Sequence, residues 1–234
     1  MSNLVSRILP NFQFSALKKV NNITAKIAPK ATFIFLSAIF LMEVKPALAH
    51  HPMGGKIPNS FIEGFLSGLG HPVIGLDHLV FVITLGLLAA LRNKIGLVIP
   101  FVFVLATAVG TGIHLLSVDL PLPEVIISAS VLIMGVFLAQ KSQTNFSLLI
   151  GLGAIAGIFH GYAYGEAIIG AETTALTAYL LGFCAIQLAI GAIAFNIGRL
   201  ALVTSDSKSN LSLRFAGFVV CGIGAAFFST TVLG

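Results

Sequence analysis

Long apolar stretches alternate with short polar ones along most of the chain. After residue 50, the apolar positions form six segments, near residues 73–91, 95–117, 123–140, 146–165, 173–198 and 213–233. A helix needs roughly twenty mostly apolar residues to cross a bilayer, and it satisfies its own backbone hydrogen bonds in lipid. The pattern therefore predicts an all-α, polytopic membrane helix bundle with about six transmembrane helices.

A further apolar stretch, at residues 60–70, precedes the first of these segments. One continuous helix over residues 61–91 would be about 46 Å long, whereas the hydrocarbon core of a bilayer is roughly 30 Å thick. Gly70 and Pro72 lie inside this stretch, and proline removes a helical hydrogen bond. We therefore expect a first span broken near Gly70–Pro72, with residues 60–70 as its outer half or as an interfacial helix.

Composition excludes an ordinary soluble domain. Of the 234 residues, 57% are hydrophobic and only 9% are charged, and the mean hydropathy is +1.02. Values of this kind are typical of polytopic membrane proteins. Both cysteines, Cys184 and Cys221, lie in apolar segments, so we expect buried small hydrophobic residues rather than a disulfide or metal ligands.

The N-terminal region resembles a targeting segment. Residues 1–30 carry basic side chains and no acid, residues 31–42 form a short apolar stretch, and Ala47-Leu48-Ala49 precedes His50. A basic region, a short apolar region and an A-x-A site are typical of a secretory signal peptide. We therefore interpret residues 1–49 as a cleavable signal peptide and residues 50–234 as a single transmembrane domain. The alternative is an uncleaved membrane anchor.

The positive charge of the chain belongs to this N-terminal segment. Residues 1–49 contain six basic residues and one acidic residue, whereas residues 50–234 contain seven of each. The mature protein is thus neutral overall, and no nucleic-acid partner is indicated.

Charges in the loops predict the orientation in the membrane. One set of loops is basic and contains Arg92, Lys94, Lys141 and Arg199, whereas the alternate set is mostly acidic. Basic loops face the cytoplasm in membrane proteins. We therefore expect a multi-pass protein of the cytoplasmic (inner) membrane with an external mature N-terminus and the lipid bilayer as its surroundings.

Ionisable residues inside the apolar segments point to metal chemistry. His71, Asp77 and His78 lie close together in the first segment. Such groups are costly at membrane depth and commonly mark a functional site, and imidazole with carboxylate suits a divalent transition metal. By the predicted orientation, further histidines and acids lie towards the same external side. The complete set of candidate metal ligands is His71, Asp77, His78, His160, His114, Glu166 and Glu124.

Several of these residues have structural alternatives. His114 could only hydrogen-bond between helices, and Glu124 could be a first-turn acid that the helix dipole favours. Asp77 could orient an imidazole instead of binding metal itself. Near His160, the glycines Gly153, Gly157, Gly161 and Gly165 recur at every fourth position, which predicts a smooth face for close helix packing.

Two motifs resemble the HupE/UreJ family. The first is His71-Pro72-x-x-Gly75-x-Asp77-His78 with Gly86 further on, and the second is the segment from Phe159 to Glu166, Phe-His-Gly-Tyr-Ala-Tyr-Gly-Glu. The second motif departs from the family pattern, because tyrosines at 162 and 164 leave His160 as its only histidine. The resemblance covers the whole mature chain and implies a secondary permease for nickel or cobalt.

The resemblance thus implies a non-enzymatic protein without a prosthetic group, whose metal ion is the cargo. The chain contains no Gly-x-x-x-x-Gly-Lys-Ser/Thr sequence, so ATP-driven transport is not expected and facilitated or ion-coupled movement remains. Two alternatives stay open. One is an intramembrane metal-dependent hydrolase using Ser128 or Ser130, and the other is a metal-binding accessory protein that does not transport.

Overall fold

A computed structural model describes residues 56–142, 144–204 and 210–233, and every regular element in these ranges is helical. The predicted signal peptide and its boundary at residues 49 and 50 lie outside the described residues. The helices are α1 (Phe61–Ile74), α2 (Leu76–Ala90), α3 (Val98–Leu115), α4 (Pro123–Ala139), α5 (Phe146–Glu166), α6 (Thr173–Thr204) and α7 (Leu211–Leu233), with a 3-10 turn at Asn93–Leu97. The all-α prediction is confirmed.

Four helical stretches are long and apolar enough to cross a bilayer: Asn93–Leu115, Phe146–Glu166, Thr173–Val203 and Leu211–Leu233. Helices α1 and α2 together can form a fifth span. Helix α4 is apolar but has 17 residues, about 26 Å against roughly 30 Å of hydrocarbon. A multi-pass membrane protein follows, whereas the expected count of six spans stays a prediction that depends on α4.

The first span is bent, as expected, but the bend lies at a different residue. Helices α1 and α2 meet at an angle of 79°, and Gly75 between them has extended backbone angles, φ −72° and ψ 100°. Pro72 lies inside α1. The break is therefore at Gly75 and not at Gly70–Pro72. A side chain at Gly75 would place its Cβ 2.6 Å from Cδ2 of His78, so glycine lets the His78 ring fold back over the junction.

Glycines allow four helix pairs to pack with their backbones almost in contact, among them α2 and α6, where a Cβ at Gly86 would lie 2.5 Å from the Gly191 carbonyl oxygen. Between α3 and α5, a Cβ at Gly161 would collide with the Thr107 carbonyl oxygen, and one at Gly110 would collide with that of Ile158. Similar contacts join α1 to α6 and α4 to α7, at Gly64, Gly68, Gly182, Gly135, Gly217 and Gly224. Small residues permit this approach, which supplies packing energy in lipid.

The predicted glycine face of α5 is confirmed in three of its four positions. Gly157, Gly161 and Gly165 all lie against side chains or backbone of α3. Gly153 is also buried, but outside its own stretch of helix no described atom lies within 4 Å of a Cβ built there, so no close contact requires glycine at this position.

Helix α2 lies at the centre of the bundle. Its side chains Phe81, Val82, Leu85 and Leu88 are almost completely buried, although they would be equally stable in lipid. Helices α6 and α7 instead expose large apolar side chains, among them Ile193, Leu200 and Phe215, as expected for surfaces that face lipid tails. Residues on α2 and on the inner faces of its neighbours are therefore shielded from the bilayer.

Candidate metal centre

Three buried histidines meet where α1, α2 and α5 come together. His71, His78 and His160 have no solvent-exposed surface, and we call them the histidine cluster. The ring centroids of His71 and His78 are 5.9 Å apart, and those of His78 and His160 are 4.8 Å apart. The bend at Gly75 turns the start of α2 back towards α1, which brings the two histidines of the first motif together.

A tyrosine of α6 holds His71. The Tyr179 hydroxyl lies 2.9 Å from Nδ1 of His71 and donates a hydrogen bond to the Tyr164 carbonyl oxygen at 2.8 Å. That carbonyl belongs to the last turn of α5, where backbone oxygens have no partner within the helix. Tyr179 therefore joins α1 to the end of α5. It was not among the predicted site residues, although a buried hydroxyl in an apolar helix is a signal for such a role.

His160 links α2 to α4. Its Nδ1 lies 2.7 Å from Nδ1 of His78, and its Nε2 lies 3.1 Å from the Ser130 hydroxyl oxygen. Ser130 donates to the Ile127 carbonyl oxygen one turn earlier, at 2.6 Å. The His160 ring also packs on Phe81, with centroids 4.4 Å apart. Both nitrogens of His160 are thus within hydrogen-bond distance of protein groups.

Asp77 lies in the first turn of helix α2, next to His78. Its Oδ1 accepts a hydrogen bond from the His78 backbone N–H at 2.9 Å and lies 4.0 Å from His78 Nε2. The side chain is only 14% exposed. A carboxylate in the first turn interacts favourably with the helix dipole. Asp77 is therefore placed both to stabilise the start of α2 and to supply an oxygen next to an imidazole.

Tyr164 fills the space between His71 and His78. Its ring centroid lies 5.0 Å from that of His71 and 4.6 Å from that of His78. Its hydroxyl is buried and has no hydrogen-bond partner among the described residues. The sequence gives a signal for this position, because Tyr164 follows His160 by one helical turn and so shares its face of α5.

The remaining predicted ligands lie at other helix ends. His114 is in the last turn of α3 and packs its ring on Tyr162, with centroids 4.2 Å apart. Glu124 is in the first turn of α4, the position expected for an acid that the helix dipole favours. Glu166 is the exposed last residue of α5. The structure thus gathers His71, Asp77, His78 and His160. A ligand role stays a prediction for these four residues as well as for the other three.

The histidine cluster is compact but its side chains hold one another. In the part of the chain that the structure describes, no three His, Cys, Asp or Glu side chains are arranged so that they could hold a metal ion directly. The rings are engaged with Tyr179, Ser130 and each other. The described geometry is therefore that of a hydrogen-bonded cluster, and direct binding of a metal ion stays a prediction.

A basic cleft lies at the other end of α2. Arg92, Lys141 and Arg214 line it together with residues of α2, α4, α5 and α7. Arg92 donates to the Thr144 carbonyl oxygen, and Nε of Arg214 donates to that of Ala139 at 3.0 Å. Ala139 is the last residue of α4, and guanidinium groups commonly satisfy carbonyls at helix C-termini. The cleft is cationic and so unsuited to a metal cation.

Comparison with known proteins gives one family. A family model described as HupE / UreJ protein matches residues 38–227 of this chain. The chain is also similar to Protein HupE of Rhizobium leguminosarum bv. viciae, with 28% identity over 182 residues, which are 77% of this chain and 90% of that protein. No solved structure matches the chain.

Proposed function

Because the chain belongs to the HupE/UreJ family, we propose that it is a secondary permease that imports a divalent transition metal ion, nickel or cobalt. The family is related to transport of these metals, and transport rather than catalysis is the activity it suggests. The metal ion is the substrate, and the proposal requires no prosthetic group.

One observation carries this proposal: two buried imidazoles and a carboxylate lie together inside apolar helices. His71 and His78 are fully buried, and Asp77 Oδ1 lies 4.0 Å from His78 Nε2. Burying such groups in a membrane protein is costly, and where they are kept they commonly mark a functional site. Nitrogen and oxygen ligands together suit nickel and cobalt, and geometry rather than raw affinity selects between such metals. We propose His71, Asp77 and His78 as the ligands.

Surface charge supports entry from the end of the bundle that contains the histidine cluster. Glu124 at the start of α4 and Glu166 at the end of α5 are exposed, and Glu166 is about 9 Å along the helix axis from His160. Exposed acids raise the local concentration of cations. By the basic-loop rule, this end faces outward in the cytoplasmic membrane, with the mature N-terminus external.

The hydrolase alternative receives less support from the geometry of the serines. In that alternative, three histidines, Asp77 and a serine such as Ser128 or Ser130 would hold a zinc ion and a water. Ser130 instead donates to the Ile127 carbonyl oxygen, and Ser128 donates to that of Val125. These are ordinary bonds of helical serines to the preceding turn. The accessory-protein alternative predicts metal binding without flux, so transport itself has to be measured.

The test is uptake of radiolabelled nickel and cobalt at nanomolar concentration, in cells that lack their own high-affinity importers. Wild type is compared with His71→Ala and His78→Ala at matched membrane levels, with Lys94→Gln, an exposed residue outside the cluster, as the control. Uptake by wild type and the control but not by the histidine variants is expected. Absence of uptake by well-inserted wild type would overturn the proposal, and metal binding without uptake would favour the accessory role.

A further inference from the structure

We propose that the hydroxyl groups of Tyr179 and Ser130 are positioning groups that fix the tautomers of His71 and His78, so that both rings present Nε2 to the metal. The role of these tautomers in metal binding rests on the proposed function. The tautomers themselves follow from hydrogen-bond geometry and can be measured without metal.

The tautomer of His71 follows from the single hydrogen of the Tyr179 hydroxyl. Its oxygen is 2.8 Å from the Tyr164 carbonyl oxygen, which has no hydrogen to give, so the hydroxyl donates there. The same oxygen is 2.9 Å from His71 Nδ1. Because its only hydrogen is already used, Nδ1 of His71 must be the donor. A neutral imidazole then carries its lone pair on Nε2.

The tautomer of His78 follows from a longer chain that begins at Ser130. The Ser130 hydroxyl donates to the Ile127 carbonyl oxygen, so Nε2 of His160, at 3.1 Å, donates to Ser130. Neutral His160 then carries its lone pair on Nδ1. Since Nδ1 of His78 lies 2.7 Å away, it must donate the hydrogen, and the lone pair of His78 is on Nε2. This atom is the one that lies 4.0 Å from Asp77 Oδ1.

The two chains have the same chemical result. In each chain, a hydroxyl that already donates to a helix carbonyl oxygen can only accept, so Nδ1 of the histidine must be a donor. His71 donates directly to Tyr179, whereas His78 donates to His160, which in turn donates to Ser130. A metal-bound histidine commonly donates the N–H of its second ring nitrogen to a carboxylate, a backbone carbonyl or a water, which fixes the ring and raises its basicity as a ligand. His160 is thus assigned as a positioning residue in this arrangement, in place of the ligand role first expected for it.

The first test is the ¹⁵N NMR spectrum of the imidazole side chains in metal-free, full-length protein in detergent. Signals are assigned from variants that replace one histidine at a time. We expect hydrogen on Nδ1 of His71 and His78 and on Nε2 of His160. In Tyr179→Phe, the His71 signal should move towards that of a mixture of tautomers. The control is Thr177→Val, which removes an exposed hydroxyl of the same helix and should leave the His71 signal unchanged. Hydrogen on Nε2 of His71 or His78 in the wild type would overturn the proposal.

The second test is the concentration dependence of metal uptake. Tyr179→Phe and Ser130→Ala should each raise KM by about 10- to 100-fold, the usual effect of removing a group that orients a ligand. Ser130→Thr keeps a hydroxyl and should restore KM, and Ser128→Ala should leave it unchanged. An unaltered KM in the first two variants would refute the positioning role, even if transport is established. Failure of wild-type transport would instead refute the proposed function and leave the NMR result standing.

Discussion

The two ends of helix α2 differ in how they carry polar groups. At its start, the histidine cluster is fully buried and its rings are hydrogen-bonded to hydroxyls and to each other. At its end, Arg92 and Lys141 are partly or fully exposed. The guanidinium groups of the basic cleft bind the carbonyl oxygens of Thr144, in the loop before α5, and of Ala139, the last residue of α4. An imidazole can be neutral and therefore tolerates deep burial, whereas a guanidinium keeps its charge and remains near water. The buried end thus holds neutral imidazoles that form the proposed metal site, whereas the exposed end holds charged groups that satisfy backbone carbonyls.

The largest expected effect is at the buried end. His78→Ala removes a proposed ligand together with the partner of His160, so metal uptake should fall to background. The measurement is uptake of radiolabelled metal at equal protein level in the membrane, with Arg92→Gln as the matched change at the other end of α2. Retained uptake in His78→Ala would show that the two ends do not differ in the way proposed.

Close packing beside the site is the next target. Gly161→Val would force a side chain against the Thr107 carbonyl oxygen, and overpacking of this kind costs about 1–3 kcal/mol. A lower thermal unfolding midpoint in detergent is therefore expected. Gly153→Val is the control on the same helix, because no described atom lies within 4 Å of a Cβ built there. Equal loss of stability in both variants would contradict the described packing of α3 on α5.

Asp77→Asn separates charge from shape. Asparagine keeps the oxygen that accepts from the His78 backbone N–H, so the start of α2 should be preserved. Loss of the negative charge should weaken metal affinity about tenfold if Asp77 orients a ligand, and more if it binds the metal itself. Metal titration of purified protein gives the value. An unchanged affinity would exclude both roles.

Acidity should affect the two ends differently. Protons compete with metal for the imidazole lone pairs, so metal affinity should fall as the pH decreases from neutral to acidic values. The guanidinium groups remain charged throughout this range. Uptake measured between about pH 8 and pH 5 should therefore decrease in parallel for wild type and Arg92→Gln. A different pH profile in Arg92→Gln would indicate coupling between the ends.

The smallest effect is expected at the basic cleft. Arg214→Gln removes the donor to the Ala139 carbonyl oxygen, and such interactions at helix termini are worth about 0.3–1 kcal/mol. Uptake should remain within about twofold of wild type, which corresponds to less than 1 kcal/mol. A loss as large as that of His78→Ala would assign the basic cleft to the transport route.

Much of the helical pattern was predictable because it depends on local hydropathy. The segments expected at residues 123–140 and 146–165 correspond closely to α4 (Pro123–Ala139) and α5 (Phe146–Glu166). The position of the break was less predictable. Proline is the usual sequence signal for a break in a helix. The need for glycine at position 75 instead depends on the His78 ring, which packs against this residue only in the folded protein.

The first motif was sufficient to predict that His71, Asp77 and His78 lie together, since they are close in sequence. Tyr179 was missed, because its contact with His71 joins residues 108 positions apart and depends on which helices pair. Likewise, hydropathy cannot show that His114 packs on Tyr162 and makes no described ring contact with the histidine cluster. Long-range partners of polar residues are set by helix packing, which the apolar pattern leaves undetermined.

The glycine contacts have a mechanical consequence. Backbones that touch in α1–α6, α3–α5 and α4–α7 leave no room for sliding within a pair, so we expect each pair to move as a rigid rod. His160 connects the α3–α5 pair to α2 through His78 and to the α4–α7 pair through Ser130, whereas the His71–Tyr179 bond lies within the α1–α6 pair. Separation of the pairs would therefore break the bonds of His160 and the bond from Tyr179 to the Tyr164 carbonyl oxygen. The bond between His71 and Tyr179 would remain, so His71 would keep its position on the α1–α6 pair.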